Sequence, residues 1–451
     1  MGLHSRLFGT DGIRGRANEE PLTPELAVAF GRAVAEKFGQ PGRPLVIGRD
    51  TRLSGPMLEQ AVAAGASAMG IDVVLLGVAP TPAVAFLTRH LQGCAGVVVS
   101  ASHNPYEDNG LKIFNGAGLK CDDALELEIE GLILGDALRN RGATGTKIGC
   151  ISIWPESSTR YADLALKAYG QGLDLHGLRV VVDAGHGAAY ETTPLVLRAL
   201  GAEVCSLNVE PNGININDGC GSTHPESIQK ATREFGAQIG LAHDGDADRL
   251  ICCDETGSLL DGDEMLAVIG LDLLQRGKLA KNTLVATVMS NLGLDECFAA
   301  AGGKVLRAGV GDRYVLEQML AHDLNLGGEQ SGHVILRDYN TTGDGLVTAL
   351  ELLRIVKSRG EPLSQLRLGL RKYPQLLVNV KVRERVPLGQ IPGVTETVAA
   401  VEKELGSSGR ILLRYSGTEP KIRLLVETRD EALLQPIADR ILAPIKKHLS
   451  A

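Results

Sequence analysis

VVVSASHNPYEDNGLKIF (97–114) decides how the chain folds. Three consecutive valines leave neither alternating face polar, so this strand is buried on both sides, as in a sheet covered by helices. It ends on a loop carrying two serines, His103, Asn104 and Pro105. The carboxyl ends of strands are where open α/β sheets bind ligands. Ser102 is therefore a candidate nucleophile or phosphate carrier, which needs a general base or a metal-bound electrophile nearby. His103 and Lys112 are the local candidates. An ordinary turn cap would use some of the same residues.

The same texture extends outward. PLVIGRD (44–50) and IDVVLLG (71–77) are further apolar strands, separated by helical stretches at 54–70 and 82–91. The pattern restarts near 176 with LRVVVDAGHG (178–187) and AQIGLAHDGDADR (237–249), and again near 261 with TLVATVMS (283–290) and KVLRAGVG (304–311). After Gly360 it changes: KYPQLLVNVKVRERV (372–386) alternates as a half-exposed strand, and strand–helix–strand–strand–helix follows. The expectation is three similar α/β domains with mixed sheets (1–150, 151–255, 256–365) and a smaller C-terminal α+β domain (366–451).

Composition narrows the function. Of 451 residues, 44% are hydrophobic and 22% charged, which suits globular cores. A net charge of −8 excludes bulk attraction to nucleic acid or an anionic membrane, so an anionic ligand would need locally gathered cations. The eight cysteines form no CxxC pair, which points to reduced core residues and away from zinc. No run of about 20 apolar residues predicts a membrane span. The N-terminus lacks the apolar core of a secretion signal. A cytoplasmic protein is expected.

Four more segments carry chemistry. HDGDADRL (243–250) places Asp244, Asp246 and Asp248 at the end of a strand, where like carboxylates repel unless a cation sits among them. Oxygen-only ligation selects Mg2+ or Ca2+, but a calcium loop wants glycine at its sixth position, and Arg249 stands there. GGEQSGH (327–333) offers Glu329 and Ser331 on a glycine loop suited to sugar hydroxyls. RYSGTEPKIR (414–423) combines Arg414, Ser416, Gly417, Thr418 and Arg423, the donors of a phosphate clamp. FGTDGIRG (8–15) and GRDTR (48–52) add Arg14, Arg49 and Arg52.

In this order and combination, the segments resemble the α-D-phosphohexomutase superfamily along essentially the whole chain. The resemblance implies four domains around a central cleft. It implies phosphoserine at Ser102, and one Mg2+ held by that phosphate with Asp244, Asp246 and Asp248. It further implies sugar binding at the Glu329 loop and phosphate binding at the Arg414 loop. Gln330, VGDRYV (310–315) and CGSTHPE (220–226) resemble the glucosamine branch, adding Asp312, Arg313 and His333 to the sugar residues. The implied reaction interconverts glucosamine 6-phosphate and glucosamine 1-phosphate through glucosamine 1,6-bisphosphate, toward UDP-N-acetylglucosamine and cell-wall precursors. The implied partner is a small hexosamine phosphate, with a homodimer as the implied assembly. The general acid or base is left open among His103, Lys112, Arg14 and His333, with Arg249 in support. A glucose or mannose phosphate mutase is the alternative within the superfamily. A silent sugar-phosphate or Ca2+-binding protein, or an aspartate-based phosphatase, is the alternative outside that activity.

Overall fold

The computed structural model describes residues 7–9, 11–416 and 421–449. Its packing divides the chain into two compact units. One comprises the chain up to Thr287 together with Leu306–Gly369; the other comprises Val288–Val305 and the chain from Leu370 onward.

The first unit contains three layered α/β modules. The first sheet takes Phe8–Gly9 (β1), Gly12–Arg16 (β2), Leu45–Arg49 (β3), Val73–Val78 (β4), Ala95–Val99 (β5), Asp108–Asn115 (β6) and Ile151–Ile153 (β7). Their order is β1-β2-β6-β5-β3-β4-β7. Strand β3 runs parallel to β4 and β5, whereas β6 runs antiparallel to β5, which makes the sheet mixed. All five residues of β5 are buried, as the valine run requires. Strand β7 pairs with β4, so the first module extends just beyond residue 150.

The second sheet has Arg179–Asp183 (β8), Glu203–Leu207 (β9), Ile239–His243 (β10), Leu250–Asp254 (β11) and Leu259–Leu260 (β12), ordered β12-β11-β10-β8-β9. The third has Thr283–Thr287 (β13), Lys304–Ala308 (β14), Leu326–Gly328 (β15) and Val334–Leu336 (β16), ordered β14-β13-β15-β16. The turn after β10 is held from the other two modules. The Asp246 carbonyl accepts from Thr81 N (2.9 Å), and the Ala247 carbonyl accepts from Gly345 N (3.1 Å). Both donors open helices, Thr81–His90 and Gly345–Arg359, whose N-terminal dipoles favour the acidic turn between them.

The second unit has a three-stranded antiparallel sheet of Gln375–Lys381 (β17), Gly409–Tyr415 (β18) and Lys421–Thr428 (β19), ordered β17-β19-β18. The helices Val394–Leu405 and Leu434–Leu449 contribute to its core. Residues 288–305, which the sequence reading places in the third module, pack with this unit. Leu292 N donates to the buried Glu427 carboxylate (2.9 Å), and Asn291 Nδ2 donates to the Tyr373 carbonyl (3.0 Å). These long-range polar partners leave no pattern in the local sequence.

In the first module, helices Pro24–Phe38 and Gly55–Ala68 cross at two glycines. A Cβ on Gly31 would lie 2.1 Å from the Val62 carbonyl oxygen, and one on Gly65 would lie 2.2 Å from that of Val28. Backbone cannot yield as a side chain can, so Gly65→Ala must spread the helices. It is expected to cost about 1–3 kcal/mol, seen as a lower midpoint of thermal unfolding. An unchanged midpoint would show that the crossing tolerates a methyl group.

Candidate active site

Strand β5 places Ser100, Ala101 and Ser102 at its carboxyl end, and Ser102 adopts a left-handed backbone with φ of 54°. A serine there costs energy, and such strain is typical of functional loops. The loop around it is fixed by a buried cation. Arg52, fully buried, pairs with Asp50 (2.8 Å) and donates to the carbonyls of Ser102 (2.9 Å), Asn104 (2.8 Å) and Asp108 (3.0 Å), and also to that of Pro105. Ser100 Oγ donates to Asp50 (2.6 Å) and accepts from Ser102 N (2.9 Å). Asn217, from the second module, donates to the carbonyls of Ser102 (2.9 Å) and Asn104 (3.1 Å).

Ser102 Oγ donates to Asp244 Oδ2 at 2.6 Å. This approach needs glycine at 245, because a Cβ there would lie 2.6 Å from the Ser102 carbonyl oxygen. Asp244, Asp246 and Asp248 are all buried and each offers a carboxylate oxygen within 4.8 Å of the others. Burial, then the neighbouring Asp248 and Asp246, pushes Asp244 well above the usual carboxylate range. Asp248 moves the other way: burial alone would raise it, but Lys112 leads the groups that outweigh burial and hold it well below. Oδ1 of Asp246 and Oδ1 of Asp248 are buried without a hydrogen-bond partner. Orphaned carboxylate oxygens beside a serine hydroxyl form an all-oxygen donor set that fits a hard divalent cation. The turn follows strand β10 and not a helix, so the helix–loop–helix calcium geometry is absent here.

Cations surround these carboxylates. Lys112 Nζ lies 2.7 Å from Asp246, 2.9 Å from Asp11 and 3.6 Å from Asp248. Burial alone would lower its pKa, but Asp11, Asp246 and Asp248 prevail and raise it, so it stays charged. Arg14 pairs with Asp11. Arg249 Nη1 is 3.2 Å from His103 Nδ1, which lies 3.3 Å from Ser102 Oγ. Burial, then Arg249 and Arg14, pulls His103 down to about 4. Its imidazole is therefore neutral at pH 7, and Nδ1 accepts from Arg249.

The glycine loop is seated on the helix Gly262–Gln275: Gly262 N donates to the Gln330 carbonyl (2.9 Å), and a Cβ on Gly262 would lie 1.9 Å from that of Glu329. Glu329 Oε1 accepts from Gly311 N (3.1 Å), and Ser331 is exposed. His333 and Arg313 already have protein partners. His333 is 2% exposed and wedged between Asp248 (Nδ1, 3.7 Å) and Asp312 (Nε2, 3.4 Å), with the Gly343 N–H on Nε2 (3.0 Å). It therefore sits close to two carboxylates. Arg313 pairs with Asp123 (2.6 Å), Glu126 (3.3 Å) and Glu317 (3.5 Å), so three carboxylates already occupy its guanidinium. Asp312 pairs with Lys120.

In the C-terminal unit, Arg414 and Arg423 stand directly opposite each other on β18 and β19. Like charges in this register repel and favour a shared anion. Burial, then Arg423, lowers the Arg414 pKa, and Arg414 Nε is buried without a hydrogen-bond partner. Ser416 is buried, and its carbonyl accepts from Arg385 (2.8 Å). Gly417 and Thr418 lie outside the described residues.

Sequence reasoning missed Asp11, Asp50, Thr81, Lys120, Asn217 and Arg385, and it left Arg52 without a role. Thr81 Oγ1 donates to Asp246 at 2.6 Å. The one local signal was the charged pair Asp50 and Arg52 closing an apolar strand.

Comparisons with known proteins agree with this layout. Four consecutive matches cover the chain. Residues 5–139, 161–257 and 261–373 match phosphoglucomutase/phosphomannomutase alpha/beta/alpha domains I, II and III, and 377–443 match the C-terminal domain of that family. Phosphoglucosamine mutase from Syntrophotalea carbinolica is 50% identical over 99% of this chain and 98% of its own length. That from Desulforudis audaxviator is 52% identical over 96% of each. Among solved structures, a phosphoglucomutase/phosphomannomutase family protein from Burkholderia thailandensis superposes with a TM-score of 0.82 at 27% identity over 100% of both chains. The N-acetylphosphoglucosamine mutase of Aspergillus fumigatus, solved with GlcNAc-6P and magnesium, shares the fold, with a TM-score of 0.69 at 16% identity over 98% of this chain and 95% of its own. Among the described residues, no helix is long and apolar enough to cross a membrane.

The aspartate cluster yields a binding test. Mg2+ should raise the thermal midpoint of the wild-type protein by mass action, and Asp246→Ala should abolish that increment. An equal increment in both proteins would place the ion elsewhere.

Proposed function

Because this chain belongs to the phosphoglucomutase/phosphomannomutase family, we propose that it interconverts glucosamine 6-phosphate and glucosamine 1-phosphate with Ser102 as phosphoryl carrier. The observation that carries this reading is the strained Ser102, whose Oγ lies 2.6 Å from one of three clustered aspartates. The choice of an amino sugar rests on full-length relatives at about 50% identity, named phosphoglucosamine mutases.

Asp244, Asp246 and Asp248 would hold one Mg2+, with an oxygen of the Ser102 phosphate. When bound, the ion offsets charge on the transferring group. The remaining work falls to the chain. Phosphoryl transfer needs mainly positioning and charge stabilisation. Arg52 and Asn217 keep the carrier loop still. Lys112 and Arg249 bring positive charge to the carboxylates.

The P–Oγ bond of phospho-Ser102 breaks as a bond forms from phosphorus to the free hydroxyl oxygen of the sugar. The hydroxyl proton passes to a base, and Ser102 Oγ, which leaves with the P–O electron pair, takes up a proton; His103, 3.3 Å from Oγ, is one candidate for this exchange. The product, glucosamine 1,6-bisphosphate, turns over, and Ser102 takes back the other phosphate. Glu329 and Ser331 would hold the sugar hydroxyls. Arg414, Ser416 and Arg423 would hold the phosphate that is not reacting. Arginine forks read phosphate and not sugar, so one clamp serves both orientations.

Ser102→Ala should reduce turnover to background while leaving the unfolding midpoint near that of wild type. Normal turnover would overturn the carrier assignment. The substrate is tested by comparing kcat/KM on glucosamine, glucose and mannose 6-phosphates in the presence of Mg2+ and a trace of 1,6-bisphosphate. Glucosamine 6-phosphate is expected to lead. A mannose or glucose phosphate in first place would move the chain to that branch.

Arg414→Ala should raise KM roughly ten- to hundredfold, the effect of losing a hydrogen bond between charged groups. An unchanged KM would remove Arg414 from the site.

A further inference from the structure

A closed ring of alternating groups lies behind the aspartate cluster. From Asp248 it passes to Lys112 (3.6 Å), Asp11 (2.9 Å), Lys120 (2.6 Å), Asp312, His333 (3.4 Å) and back to Asp248 (3.7 Å). Three carboxylates alternate with two ammonium groups and an imidazole. The side chains of Lys112, His333 and Asp248 are each under 5% exposed, and those of Lys120, Asp312 and Asp11 are 10%, 12% and 19% exposed.

Lys120, like Asp11, is a ring member that sequence reasoning does not find and that touches neither Ser102 nor the three clustered aspartates. It follows β6 and joins Asp11, before β2, to Asp312, at the start of the helix Asp312–Ala321. Both partners reach the reaction site. Asp11 pairs with Lys112 and Arg14. Asp312 lies 3.4 Å from His333, which neighbours Asp248, and follows Gly311, whose N–H holds Glu329. We propose that Lys120 is a positioning residue for the phosphoryl transfer: by closing this ring it holds Lys112 and His333 against the aspartates and sets the sugar loop relative to Ser102.

The physical case is that neither end is held as well without it. A lysine missing between Asp11 and Asp312 leaves two half-buried carboxylates without the cation they share, and like charges so placed move apart. Asp11 would then draw on Lys112 and Arg14 only, and Asp312 would keep only the neighbouring His333. Lys112 already serves Asp246 at 2.7 Å, so any shift toward Asp11 is a shift away from the aspartate cluster. A displacement of about 1 Å at a reacting centre can cost 10²-fold in rate.

The inference rests on the phosphoryl-transfer role of Ser102, so wild type and Ser102→Ala accompany each assay. An inactive wild type would defeat that role, whereas an active one leaves Lys120 to be judged alone. Lys120→Met should lower kcat about 100-fold while changing KM for glucosamine 6-phosphate by less than about threefold. Lys120→Arg should recover most of the loss, since it restores a cation between the same carboxylates.

The double variant Lys120→Met/Asp312→Asn separates positioning from stability. Removing both charges of a buried pair relieves the uncompensated carboxylate, so the thermal midpoint should return toward wild type while kcat stays low. A kcat for Lys120→Met within twofold of wild type overturns the proposal. So does a double variant whose kcat recovers together with its thermal midpoint, because Lys120 would then serve stability alone.

Discussion

Three carboxylates buried within 4.8 Å of one another are the constraint on which the rest of the first unit depends. Unrelieved, they would push the turn after β10 apart. The surrounding structure supplies the relief. Lys112 brings a charge from β6, Arg249 brings one from the turn itself, and two helices point their N-termini at its carbonyls. Each of the three modules contributes, which accounts for residues distant in sequence converging on one short segment. The same excess of negative charge suits a hard cation, with Ser102 Oγ beside it.

A second buried charge governs the opposite side of the serine. Arg52 uses its guanidinium on backbone carbonyls of the loop and on Asp50. A buried arginine is tolerable only when its donors are satisfied, and the loop conformation that satisfies them is the one that holds Ser102 at a positive φ. Serine strain and arginine burial are thus two aspects of one arrangement. The serine loop is held from within its own module by Arg52 and from the second module by Asn217, so its position records the packing of both.

Legibility in the sequence followed the distance between partners. Ser102, His103 and the aspartates of 244–248 could be read because each set lies within a few residues at the end of an apolar strand. Arg414 and Arg423 could be read because a hairpin brings them opposite one another. Lys120 could not, because its partners are 109 and 192 residues away and nothing in its neighbourhood distinguishes it from a surface lysine. His333 and Arg313 were placed by resemblance near a sugar. Only the structure shows the burial of the first and the three carboxylates around the second.

By itself, the sequence determined the α/β modules, the smaller antiparallel unit, the serine loop and the acidic turn. Those features depend on local periodicity, on glycine turns and on like charges repelling at short spacing, all of which operate along the chain. Only the tertiary structure decided which cation meets which carboxylate, that 288–305 packs with the C-terminal unit, and that six groups from separate segments close into a ring. Such pairings depend on burial, which makes an unpaired charge costly, and burial is a property of the folded whole.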